Sequence, residues 1–154
     1  MEKPLLEIYQ ILQKLTGLHR QLLDTVRLER EVLVQANIKG IEETTHAKQA
    51  LIEAIHQTEQ ERVKRVTHLS ILWKKPLREL TLPKIIIEIQ GRDLPAADQL
   101  RSIHNTLTLL TQRIAEQNDD NRGLVERSLA HVHQMKKNVL GEAEPKASTY
   151  TQRG

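Results

Sequence analysis

The sequence predicts an elongated all-α fold: an antiparallel three-helix bundle or coiled coil, with a short linker helix before a long third helix and a disordered C-terminal tail. Three observations predict it. Phe is absent and Tyr9, Trp73 and Tyr150 are the only aromatics, while Leu, Ile, Gln, Glu, Lys and Arg dominate, a composition for long helices in aliphatic contact. Apolar residues recur in alternating steps of three and four. The strong breakers Pro76, Pro83, Gly91 and Pro95 gather in one stretch. The one β-branched run, Ile85 to Ile87, follows Pro83 and has no second run to pair with.

The first helix, about 4–35, carries a seam of Leu5, Ile8, Leu12, Leu15, His19, Leu22, Val26, Glu29 and Leu33. Leu23 and Leu28 widen that seam, as a bundle helix requires, and Pro4 suits a first turn. The phase slips across Gln35-Ala36-Asn37, where Asn37 is a natural N-cap. The slip reads as a tight turn and an antiparallel hairpin; a kink in one long helix is the other reading, since Gly40 weakens a new start.

The second helix, about 38–75, continues as Ile38, Ile41, Thr45, Lys48, Ile52, Ile55, Glu59, Arg62, Val66, Leu69 and Trp73. A hairpin turning near Ala36 sets Leu22 against Ile52, Leu15 against Glu59, and Glu29 near Thr45 and Lys48. Glu29 and Lys48 then pair across it, specifying register more than adding stability. Pro76 ends this helix, and a short helix follows over about 82–90, from Thr81 or Leu82 to Gly91.

The last helix, about 94–140, has the seam Leu100, Ile103, Leu107, Leu110, Ile114, Gln117, Asn121, Leu124 or Val125, Ser128, Val132, Met135 and Val139. It is roughly 65–70 Å long, exceeds either arm of the hairpin, and should overhang them with its stripe uncovered. Gln117, Asn118 and Asn121 interrupt the stripe; Lys136, Lys137 and Gly141 form a stop signal. Residues 1–141 thus make one helical bundle. Residues 142–154 lack period and apolar area and are expected to be disordered.

Composition also bounds function. The chain has no cysteine, no signal-like start and no apolar run near the roughly 20 residues that span a bilayer, which suits a soluble cytoplasmic protein without membrane insertion. The two Glu-x-x-His steps, Glu43/His46 and Glu53/His56, share one helix and lie ten residues apart, which argues against the facing pairs of a di-iron bundle. His131 and His133 point to different sides of a helix. No phosphate loop, nucleophile elbow or HExxH helix is present, so no catalytic residue, cofactor or metal is expected.

The basic stretch from Arg62 to Lys84 carries Trp73, which suits either a nucleic-acid surface or a solvated face with Trp73 capping the hairpin's open end. The seam position of Trp73 favours the second. The stripe of Leu124, Val125, Leu129, Val132, Met135 and Val139 packs on the hairpin or on a second copy of the chain, or accepts an amphipathic helix from another protein.

Several runs together resemble the FlgN family of flagellar export chaperones. They are Glu29, Leu33, Lys48, Leu51, Ile52 and Arg62 in the hairpin, the stretch TLPKIIIEI, the N-x-x-N-x-x-L pattern at Asn118, Asn121 and Leu124, and a Thr-Tyr pair near the terminal Gly. The resemblance implies a cytoplasmic chaperone that masks the C-terminal helical segments of the hook–filament junction proteins FlgK and FlgL. It implies cargo binding by the Leu124–Val139 stripe and docking of Tyr150 on the cytoplasmic domain of the export gate protein FlhA. A self-associating coiled-coil protein and a basic helical nucleic-acid binder are the rival classes.

Overall fold

The computed structural model describes residues 1–141; the tail expected to be disordered, 142–154, lies outside the described residues. Four helices follow in order, α1 (Lys3–Val34), α2 (Ile38–Trp73), α3 (Leu82–Gln90) and α4 (Leu94–Leu140), with a 3-10 turn at Leu77–Glu79. No described residue is in a strand. α1 is central: it packs along both α2 and α4, while α3 lies against α4. The chain runs up, down and up again, so α4 is parallel to α1; at their shared lower end the Met1 amino group is 3.6 Å from Asp93.

The core has two parts along this axis. The lower one gathers Leu5, Ile8, Leu12 and Leu15 of α1, Val66 and Leu69 of α2, Ile85, Ile86 and Ile89 of α3, and Ala96, Ala97, Leu100 and Ile103 of α4. Leu80, from the linker, is buried in the same cluster. The upper one is smaller: Leu22, Leu23 and Val26 meet Leu110 and Ile114, with Leu51 and Ile55 at the margin. Burial of these side chains from water is the main favourable term for a fold with so few aromatics.

The phase slip after α1 is a turn. Ala36 takes a left-handed backbone conformation, φ 53°. The Asn37 N–H donates to the Val32 carbonyl at 3.0 Å, closing the end of α1. Asn37 caps α2, its Oδ1 accepting from the Gly40 N–H at 3.0 Å. The glycine that weakened α2's start on propensity is what lets the two arms approach: a Cβ built there would lie 2.7 Å from Val32 Cγ1.

The inner face of α2 differs from the expected seam. It holds Gly40, Thr44 and Thr58, all buried, with Leu51 and Ile55 beside the upper core. The expected Ile38, Thr45 and Ile52 are exposed and Glu59 is half-exposed. The two lines coincide at Ile55, Val66, Leu69 and Trp73, and differ by one residue where Thr44, Leu51 and Thr58 face inward in place of Thr45, Ile52 and Glu59. Leu22 therefore meets Leu51 and Ile55, not Ile52. Close packing at the turn takes Gly40 in place of a large aliphatic, and the buried threonines are tolerated because their hydroxyls turn back into the helix. Thr58 Oγ1 donates to the Ala54 carbonyl at 2.8 Å, and Thr44 Oγ1 to that of Ile41 at 3.0 Å.

α2 stops at Trp73 because Lys74 turns left-handed, φ 53°, and the Lys75 N–H closes onto the Ser70 carbonyl at 3.1 Å. Trp73 is half-buried against the lower core, and the Arg92 guanidinium sits 5.3 Å from its ring centroid. The capping role expected for Trp73 thus matches its place. α4 is started by Asp93, whose Oδ1 accepts from the Ala96 N–H at 3.1 Å, and ended by the left-handed Gly141.

Gly40→Ala tests the close approach. In an ordinary helix interior it would stabilise by about 1 kcal/mol; here the methyl has to displace buried Val32, and a net loss of about 1–3 kcal/mol is expected in urea unfolding.

Candidate functional site

Near its upper end the bundle is tied by polar side chains instead of aliphatics. Asn121 of α4 is 3% exposed. Its Nδ2 donates to the Val26 carbonyl and to Glu29 Oε1, each at 2.8 Å, and its Oδ1 accepts from Gln117 Nε2 at 3.0 Å. Lys48 Nζ, from α2, donates to Asn118 Oδ1 at 2.8 Å and lies 3.5 Å from Glu29 Oε1. All three long helices meet in this layer. The expected Glu29–Lys48 pair forms, and two asparagines that looked like gaps in the α4 stripe complete it. Among the described residues no buried side-chain polar atom lacks a partner, so the layer is tolerated despite its desolvation. Glu29, Lys48, Asn118 and Asn121 are also among the residues that carry the family resemblance.

Above this layer the hairpin ends soon and α4 does not. Val34, the last residue of α1, is five residues beyond Glu29, about 7 Å of helix. α4 continues from Asn121 to Leu140, so its last turns, about 20 Å, have no hairpin beside them. Leu124, Ser128, Val132, Met135 and Val139 follow the helical line of Ile114 and Asn121, which face α1 lower down. Leu124 is half-buried; Val125, Leu129, Val132, Met135 and Val139 are exposed, Val132 to 58% and Val139 to 79%. The stripe expected to be uncovered is uncovered. Val34 and Ile38, at the hairpin tip and level with the start of the overhang, are exposed as well. Sequence reasoning placed Ile38 in the seam and missed it as surface; the turn between two helix ends was the available signal. Tyr150 lies outside the described residues.

The other candidates do not converge. Glu43, His46, Glu53 and His56 are all exposed on α2, and among the described residues no three metal-ligating side chains gather. The basic stretch is partly neutralised. Arg65 pairs with Glu7 at 3.2 Å, Lys75 with Glu88 at 2.8 Å, and Arg62 with Glu59. The Glu59 hydrogen bond holds the Arg62 guanidinium above its ordinary pKa, and the Lys75 hydrogen bond holds the Glu88 carboxyl below its own. An open groove of roughly 900 Å³ between the lower halves of α1 and α2 is lined by Lys3, Glu7, Glu61, Lys64, Arg65 and His68, among others, and is mixed in charge. No helix of the described residues is long and apolar enough to cross a membrane.

A family model described as FlgN protein matches residues 5–154. No curated protein and no solved structure matches the chain.

The polar layer predicts coupled energetics. Asn121→Ala, which removes a hydrogen-bond donor from the half-buried Glu29 carboxylate and leaves it Lys48, should cost about 1–3 kcal/mol in urea unfolding. Adding Glu29→Ala should cost much less than the sum of the single changes, and additive losses would show that the two side chains do not act together.

Proposed function

The chain belongs to the FlgN family, and from that premise we propose that this flagellar export chaperone binds the C-terminal helical segments of the hook–filament junction proteins FlgK and FlgL through the overhanging face of α4. The observation that carries the reading is the apolar line of Leu124, Val125, Leu129, Val132, Met135 and Val139, which continues past the end of the hairpin into solvent. Exposed apolar patches of this kind mark interaction surfaces. Their spacing along one side of a helix suits another amphipathic helix laid alongside. The role needs no catalysis: the chaperone covers apolar segments in the cytoplasm and gives them up at the export gate. Ser128 within the line moderates the affinity, and the polar layer below holds α4 against the hairpin while its end is engaged.

Delivery is assigned to the tail. Tyr150 is a single large ring in a polar segment, and a ring buries much area with few rotamers to freeze, which makes it an economical anchor for the cytoplasmic domain of FlhA. A second copy of the chain is the competing occupant of the α4 face.

Leu129→Asp combined with Val132→Asp should weaken binding of FlgK and FlgL C-terminal peptides at least about tenfold in calorimetry, with helicity unchanged because both positions are exposed. Retained peptide binding, together with conversion of a dimer to a monomer in sedimentation, would instead assign the face to self-association. Tyr150→Ala should leave unfolding and peptide binding as in the parent chain while abolishing capture by the FlhA cytoplasmic domain; equal capture by both chains would remove Tyr150 from the docking step.

A further inference from the structure

The opposite end of the molecule carries a second exposed apolar surface that cargo binding does not use. Ile71 and Leu72 stand at the end of α2, Leu77 in the 3-10 turn, Ile87 on α3 and Leu94 at the start of α4; all are exposed, Ile71 to 71% and Ile87 to 67%. These side chains are not the fringe of the core. On α3, Ile85, Ile86 and Ile89 point inward and are buried, and Ile87 is on the other side of the same helix.

Between residues 71 and 94 the chain has Lys74, Lys75, Arg78, Lys84 and Arg92 against Glu79, Glu88 and Asp93. Five cations less three carboxylates is a surplus of two, out of a net charge of +3 for the entire chain. Cations and apolar side chains are therefore concentrated together at one end.

The arrangement decides what kind of partner fits. The exposed apolar side chains come from four different segments and are separated by lysines and arginines. They form no line at i, i+3, i+4 spacing of the sort that a partner helix reads. An interface of lipid headgroups and acyl chains needs no such register. It accepts separate apolar side chains at shallow depth, and the stems of Lys and Arg lie along it while their charges meet phosphate. A net cationic surface is drawn to an anionic leaflet and much less to a neutral one.

We propose that this linker end, comprising the end of α2, the 3-10 turn and α3, docks peripherally on an anionic lipid bilayer. The α4 overhang then stays free, beginning about 45 Å away along the helix. This inference does not rest on the identity of the cargo.

Flotation of the full chain with vesicles of phosphatidylglycerol and phosphatidylcholine in equal parts tests it against vesicles of phosphatidylcholine alone. The chain should float with the anionic vesicles, lose that binding at high salt, and partition at least about tenfold less onto neutral ones. Leu77→Ser with Ile87→Ser, and separately Lys74→Gln with Arg78→Gln, should each reduce binding several-fold while circular dichroism is unchanged, as these side chains are exposed. The proposal is overturned if anionic vesicles do not bind the chain. It also fails if both variants float like the parent, or if Leu129→Asp with Val132→Asp removes the binding and so moves it to the overhang. Capture of an acidic amphipathic peptide by this end, with vesicles ignored, would reassign the surface to a protein partner.

Discussion

The position of α4 depends on one buried carboxamide. Asn121 reaches from α4 into α1, donating to a backbone carbonyl and to Glu29, and Asn118 beside it takes the ammonium of Lys48 from α2. Aliphatic packing resists a shift of one turn along a helix only weakly, because aliphatic side chains recur on most turns of the seam. A hydrogen-bonded set with specific donors and acceptors resists it strongly. Sliding α4 by a turn would break the bonds from Asn121 to Val26 and Glu29 and from Lys48 to Asn118, leaving the buried Asn121 Nδ2 unpaired and Glu29 with Lys48 alone. The polar layer therefore sets how much of α4 lies beside the hairpin and how much extends beyond it.

The remaining architecture follows from where apolar mass is placed. The lower end draws on all four helices and is densely aliphatic, with Trp73 and Arg92 closing its edge. The upper core is thinner, and the polar layer stands above it. An end with few apolar contacts is where a structure opens at lowest cost, and the overhang begins there. A bundle built in this way has a stable end, a register-setting layer and an extension whose apolar side chains are left for another molecule. Its two exposed apolar surfaces differ in kind. One is a single line along one helix; the other is a cluster from four segments, set among cations.

Much of this was legible in the residues. Periodicity identified the long helices, and Asn37 and Gly141 marked the start of α2 and the end of α4. The uncovered stripe on α4 followed from its length relative to the hairpin arms. The inner face of α2 did not follow. The three-and-four steps selected Ile38, Thr45, Ile52 and Glu59, whereas the structure turns Gly40, Thr44, Leu51 and Thr58 inward. A hydrophobicity pattern ranks residues by transfer free energy, but the separation of two helices is set by volume at the crossing, and a glycine or a self-satisfied threonine fits where an isoleucine does not.

The sequence by itself determined the all-α class, the number and extent of the helices, and the excess length of α4, because these depend on local propensity, capping and chain length. Tertiary structure alone decided which residues of α2 face inward and that Asn118 and Asn121 join the Glu29–Lys48 pair in one layer. Those outcomes depend on distances between helices and on the pairing of polar atoms far apart in the chain, neither of which is encoded in the spacing along any one helix.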